Sequence, residues 1–310
     1  MRYKFEKLGC YILIIILLPY IVTVFLNGPV VVSSKKVEET MVNVEVEGEQ
    51  EKDSIISMSI EDYGVGILAR EIPDNYDAEA IKAQAILVRT RLYKNLQENG
   101  SNATLTEEFW TREQMEDAWG IGKFTSNYNK LENAWHATEG QVLIFDGKLA
   151  YTPFFSLSNG NTRDGKEVLG KEFPYLKIKD CPLDIESLEQ IQTVTLENRN
   201  SGKANANTAG IEILSTDTAG YVLKVKVGEE EVNGEEFRKN YNLISSCYFI
   251  NEYDGKIRIT TRGVGHGIGL SQYTANKMAE SGEAAEDILK YFFEGCEINE
   301  VADFVRTVEN

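Results

Sequence analysis

Leu8 to Leu26 form an almost unbroken apolar run, and Arg2, Lys4 and Lys7 stand just before it. About 20 apolar residues in a helix span a bilayer. A segment of this kind divides a chain, because it is too long and too apolar to serve as an ordinary core helix. Its basic flank places residues 1–7 in the cytoplasm and everything after about residue 30 outside. A cleaved signal peptide is the alternative. Such signals have a shorter apolar core followed by small residues, and Asn27-Gly28-Pro29-Val30 offers no clear site of that kind. Residues 8–27 therefore read as a transmembrane anchor, and the rest of the chain is exported on either reading.

The stretch VEETMVNVEVEGEQEKDS follows, acidic and without a helical apolar stripe. We read residues 28–54 as a stalk, 55–300 as one folded domain and 301–310 as a C-terminal tail. The net charge of −17 argues against a nucleic-acid partner, which requires a basic face. Cys10 lies in the apolar run. Cys181, Cys247 and Cys296 are an odd set without metal-type spacing, so at most one exported disulfide can form within the chain, and small buried or surface thiols are the simpler expectation.

Within the folded part, Ser59 with Asp62 three residues on has the spacing of a helix N-cap. Ile60, Tyr63 and Ile67 follow at helical intervals until Pro73. A second helix opens after Asp77, with Ile81, Ala85, Val88, Leu92 and Leu96 as its apolar stripe. Helical pieces are expected near 111–119 and 127–138. Asp146-Gly147 marks a hairpin, and Ala150 to Ser158 read as a strand running into the polar loop SNGNTRDG. Residues 190–262 are mostly strand, and two helices separated by Gly282 close the domain. The expected fold is α+β, a single exported domain with helices at both ends around mostly antiparallel strands, after one N-terminal transmembrane helix.

Glu71 follows Tyr63 and Ile67 at i, i+4, i+8. It continues an apolar stripe and sits at the negative end of its helix. Burial and dipole both disfavour the anion, so a raised pKa is expected, as a general acid needs. A frayed end with Glu71 in water is the simpler alternative. On the next helix Lys82 and Arg89 are seven residues apart and share a face. They are candidates for binding anionic or polyhydroxyl groups or for holding Glu71; a solvated cationic face is the other reading.

SIEDYGVGILAREIPDNYDAEAIKAQAILVRTRLY, ENAWHATEGQVLIFDGKLAYTPFFSLSNGNT and RGVGHGIGLSQYTANKMAESGEAAEDILKYFFEG occur in this order between about residues 56 and 296. They resemble the opening, middle and closing motifs of the SpoIID/LytB domain family. The resemblance implies a membrane-anchored lytic transglycosylase. It would act on peptidoglycan glycan strands stripped of their peptides during engulfment in spore formation, with a cell-wall amidase and a membrane partner. It implies that Glu71 is the essential acid and that Lys82 and Arg89 are functionally important. The middle motif departs from the family, because Phe155 stands in place of its His and Leu157 in place of its Thr. Some relatives hold zinc near this loop. No His or Cys lies between Thr138 and Asp180, so neither a metal nor another cofactor is expected. Ser156, Ser158 and Asn159 remain as hydrogen-bonding candidates for a sugar. Tyr175 is a candidate for stacking on a sugar ring or for core packing.

In RGVGHGIGLSQ the glycines 263, 265, 267 and 269 alternate, without the spacing of a nucleotide loop. In an extended segment this leaves one face as bare backbone for close approach. His266, one of two histidines in the chain, either holds the turn into the next helix or contacts the glycan, and Gln272 is a similar case. His136 reads as an ordinary helix residue. Trp110, Trp119 and Trp135 are core or groove wall. The main alternative to an enzyme is a non-catalytic amidase enhancer or glycan-binding protein of the cell wall.

Overall fold

The computed structural model describes residues 40–46, 54–197, 210–254 and 256–301. The expected anchor at 8–27 lies outside them, as do residues 1–7 and 302–310. Among the described residues no helix is long and apolar enough to cross a membrane.

The first strands, β1 (Met41–Val46) and β2 (Ser54–Ser59), pair antiparallel. β1 falls within the segment expected to be a stalk. Its alternation explains why: Val42 and Val44 point one way and are buried in the core, as period-two apolar residues in a half-covered strand should be. Ser59 then caps α1 (Ile60–Glu71), its hydroxyl accepting the Asp62 N–H at 3.0 Å. Asp77 caps α2 (Ala78–Asn99) in the same way.

α2 is the centre of the fold. The expected stripe Ile81, Ala85, Val88 and Leu92 packs with α1, β1 and later helices in one core cluster. A second stripe, Ala80, Ala83, Ile86 and Leu87, packs on the other side with the C-terminal elements. Small residues on both stripes let neighbours approach closely. After α2 come β3 (Thr104–Leu105), α3 (Arg112–Trp119) and α4 (Ile121–Ala137). β3 lies parallel to β1. Trp135 of α4 is fully in the core, against Gly64 of α1.

The Asp146-Gly147 hairpin is present between β4 (Gln141–Phe145) and β5 (Lys148–Leu149), both turn residues having positive φ. Of the expected strand 150–158 only β6 (Phe154–Phe155) forms a strand, and Leu157 adds an isolated bridge to Val264. A short helix α5 (Gly165–Val168) and two 3₁₀ turns lead into the strand-rich part. There β7 (Ile191–Glu197) edges a sheet with β11 (Cys247–Tyr253) and β12 (Lys256–Arg262), in the order β11-β12-β7. A second sheet has the order β10-β9-β8, formed by β8 (Ile211–Thr216), β9 (Val222–Val227) and β10 (Glu230–Asn233). Helix α6 (Gly234–Asn240) shares their small core through Phe237. The chain then passes β13 (Leu270–Ser271), α7 (Gln272–Glu280) and α8 (Ala285–Phe292). The last strand among the described residues is β14 (Glu297–Glu300), antiparallel to β4. Helices and strands thus combine as an α+β fold. β1, β2 and β14 extend it beyond the outermost helices. Cys181, Cys247 and Cys296 are free thiols and buried.

The alternating glycines do not form an extended strand. All four have positive φ, from +80° to +109°, a region L-residues rarely visit. The segment weaves between residues 153–158 and 244–246. Leu157 and Val264 exchange both backbone hydrogen bonds, and Gly265 N–H donates to the Ile244 carbonyl at 2.7 Å. A Cβ on Gly269 would lie 2.0 Å from the Pro153 carbonyl oxygen, and one on Gly267 would enter the Tyr221 ring. Close approach is therefore the reason for the glycines, as expected, but achieved by left-handed turns. Gly269→Ala should cost more than about 3 kcal/mol by urea unfolding, combining strain with a backbone clash.

Candidate active site

Glu71 is the last residue of α1, and the stripe that leads to it is buried at Tyr63 and Ile67. The next residue, Ile72, is extended ahead of Pro73. The helix end does not fray into water, because Gln272 at the start of α7 donates from Nε2 to the Glu71 carbonyl at 2.8 Å. The Glu71 side chain is 20% exposed. Its Oε1 accepts from Arg91 Nη2 at 2.7 Å and its Oε2 from Gln84 Nε2 at 3.3 Å. Arg91 also reaches Glu107, whose Oε2 lies 2.6 Å from the same Nη2. Burial raises the Glu71 pKa from 4.5 to about 7; Arg91 pulls it down and Glu107 pushes it up.

The loop after β3 supplies the opposite wall. Tyr63 Oη donates to the Glu107 carbonyl at 2.8 Å, and the Trp110 N–H donates to the Gly66 carbonyl at 3.0 Å. These bonds lay residues 107–110 along α1. Three adjoining hollows result, of about 680, 360 and 400 Å³, and Arg70 and Trp110 line all three. Glu71 lines the first two. The second is walled by Tyr76, Trp119, Tyr273, Ser156 and Gln272. Trp110 and Trp119 meet edge to face at 6.1 Å between centroids.

Of the residues expected at the site, Glu71, Ser156 and Gln272 are therefore brought together. The others are placed elsewhere. Lys82 Nζ pairs with Glu79 Oε1 at 2.6 Å, and the other Glu79 oxygen accepts the Ala285 N–H of α8. Arg89 is 3% exposed; it donates to the Thr138 carbonyl at 2.6 Å and the Trp135 carbonyl at 2.8 Å, and lies over the Trp135 ring. Neither lines the cleft. The reason is helical phase. Residues two apart differ by about 200° around a helix, so Gln84 and Arg91 have the same seven-residue spacing on the face that meets Glu71. Glu107 comes from an aperiodic loop, which Trp110 shares, and nothing in its sequence singles it out.

Ser158 is enclosed; its N–H donates to Asp184 Oδ2 at 2.6 Å and its hydroxyl accepts the Gly160 N–H. Asn159 spends its amide on the Ala219 carbonyl and Cys247 Sγ. Tyr175 is packed on Phe145, with its hydroxyl bonded to the Tyr151 backbone, which is the core reading. His266 Nδ1 accepts the Ile268 N–H at 3.1 Å, and burial pushes its pKa down to about 4. It is a neutral ring holding its own turn, with Phe155 beside it at 5.8 Å. Trp110 and Trp119 are groove wall and Trp135 is core.

Asp184 was not expected. It is fully buried and accepts from the Ser158 N–H, Ser271 Oγ at 2.7 Å and Thr274 Oγ1 at 2.6 Å. It ties the loop bearing Ser156 to the first turn of α7, which bears Gln272. Arg163 and Asp217 form a second enclosed pair, 2.5 Å apart, with Arg163 also donating to the His266 carbonyl.

Two outcomes follow from these placements. Arg89→Met should lower stability by about 3 kcal/mol or more, because it strands two buried carbonyls; urea titration measures this. Glu71 has its folded pKa raised, so its contribution to stability is complete below pH 4.5 and is lost as pH rises through about 7. Glu71→Gln should match the parent near pH 4 and exceed it by on the order of 3 kcal/mol at pH 8.

Residues 48–145 match the family model described as SpoIID, stage II sporulation protein. The chain is 29% identical to stage II sporulation protein D of Bacillus amyloliquefaciens, over 81% of this chain and 77% of the relative. It is 27% identical to the protein of that name in Bacillus subtilis (strain 168), over 81% and 78%. The amidase enhancer of B. subtilis is 25% identical over 74% of this chain, but only 39% of its own length is covered. The family model ends with β4, so it takes in α1 and α2 with Glu71, Gln84 and Arg91, together with Glu107, while the two sporulation relatives extend the likeness over most of the chain. Over these spans the chain is similar to the SpoIID family of stage II sporulation proteins.

Proposed function

We propose that this chain is a peptidoglycan lytic transglycosylase with Glu71 as its acid and base. It would be membrane-anchored through residues 8–27, act outside the cytoplasm, and serve the sporulation context of its relatives. The observation that carries the reading is a mostly buried carboxyl group on the wall of an open cleft, its oxygens bonded to Arg91 and Gln84, with burial raising its pKa to about 7. A pKa near neutrality lets such a group give up a proton and take it back with little penalty either way.

The steps follow from one carboxyl. Protonated Glu71 gives its proton to the glycosidic oxygen as the bond from C1 breaks. Arg91 and Gln84 then hold the carboxylate that remains. The muramic acid C6 hydroxyl closes on C1 and returns its proton to Glu71, leaving a 1,6-anhydro end. Water is not needed as a nucleophile, unlike in ordinary glycosidases. The cleft continues on both sides of Glu71, which suits a polymer, and Trp110 and Trp119 offer aromatic surface to sugar rings. A cell-wall amidase fits as a partner, since it would strip the peptides from the strand first.

The test uses the full-length chain on peptide-free glycan strands, with mass spectrometry of the products. New 1,6-anhydro ends from the parent and a loss of at least about 1000-fold in Glu71→Gln are expected. Reducing ends without anhydro sugars would identify hydrolysis instead, with Glu107 as the second carboxylate. Binding without cleavage would identify a glycan-binding enhancer.

A further inference from the structure

Arg91 touches two carboxylates at once. Its Nη2 is 2.7 Å from Glu71 Oε1 and 2.6 Å from Glu107 Oε2, and its Nε donates to that same Glu107 oxygen at 2.7 Å. All three side chains line the cleft and are mostly buried. On the far side of Glu71 stands Gln84, 1% exposed, whose Nε2 donates to Glu71 while its Oε1 is buried without a partner.

The charges can be counted. With Glu71 ionised, the set of two carboxylates and one guanidinium carries −1. With Glu71 protonated, Arg91 and Glu107 neutralise each other. A largely dry site favours the neutral set. A guanidinium facing Glu71 alone would do the opposite and hold it ionised. Glu107 therefore offsets the pull of Arg91, yet leaves Arg91 in place to receive the anion. Gln84 is suited to both states. A half-turn of its amide exchanges O and N, so the unpartnered Oε1 can accept from protonated Glu71 and Nε2 can donate to the ionised form.

We propose that Arg91 and Glu107 are positioning residues that set the proton on Glu71. Glu107 occupies the guanidinium while Glu71 is protonated, and Arg91 shifts its bond toward Glu71 when the proton leaves. This rests on the reading of Glu71 as the acid. The other charged or titratable groups facing the site are few. Arg70, on the same helix, is paired with Glu108 and both are well exposed, so their effects largely cancel and are screened. Tyr63 lies below, its hydroxyl on the Glu107 carbonyl. Asp74, Tyr76, Glu189 and Tyr273 line the adjoining hollow. Burial, Arg91 and Glu107 act on Glu71 in that order of size, raising, lowering and raising its pKa.

The test is a carbon-13 NMR titration of full-length protein labelled at the glutamate δ-carbon, with the Glu71 signal assigned by its loss in Glu71→Gln. Its midpoint should fall by about one pH unit or more in Glu107→Gln and rise by about as much in Arg91→Met. Arg91→Lys, which keeps the cation, should return most of the way to the parent. The alkaline limb of the glycan-cleavage profile should move with each midpoint. Midpoints that stay still, or move the same way in both variants, would overturn the proposal. If Arg91→Met does not fold, Glu107→Gln decides alone, and no fall there overturns it. If the parent cuts no glycan, the transglycosylase reading falls, while the midpoints still judge the triad.

Discussion

The carboxylate of Asp184 is fully enclosed, and the candidate site depends on it. An unpaired buried charge would be costly. Here three donors meet it: one backbone N–H from the loop after β6, and two hydroxyls from the first turn of α7. One of those hydroxyls belongs to Ser271, the N-cap of α7, so the negative charge also faces the positive end of that helix. The register of loop against helix is thereby fixed. Gln272 then reaches the last carbonyl of α1, and Glu71 is held at a helix end that would otherwise be free to open.

α2 works from the other side. It is buried along two stripes and carries Gln84 and Arg91 on the strip left between them. A helix clamped this way has little freedom to move its side chains. The acid thus has a fixed backbone from α7, a fixed amide and cation from α2, and a counter-charge from a loop laid along its own helix. Its proton is governed by contacts from three separate parts of the chain.

Much of this fold is readable from sequence where the signal is local. Caps at Ser59 and Asp77, the α2 stripe and the Asp146-Gly147 turn concern neighbours within a few residues, and the structure has each of them. Glu71 stands out because a carboxylate takes the next position of an apolar stripe. Phase and distance are not legible in this way. Lys82 and Arg89 had a spacing shared by Gln84 and Arg91, and spacing alone does not say which face meets a neighbour. Val42 and Val44 were hidden by the acidic residues around them. Asp184 lies in a short 3₁₀ turn, and its partners Ser271 and Thr274 are 87 and 90 residues away. The glycine run signalled close approach correctly, but alternation in sequence cannot distinguish a strand from a series of left-handed turns.

The hydrogen bond from Gln272 to Glu71 joins residues 201 apart in the chain. Long-range contacts form late in folding, because the loops they close are entropically costly until the intervening parts are in place. Helices α1 and α2 can form early from their own caps and stripes, but the groove between them and α7 has no wall until the C-terminal helices arrive. A chain caught partway through synthesis or folding would carry Glu71 without its setting. The setting of the acid is therefore complete only when nearly the whole domain stands around it.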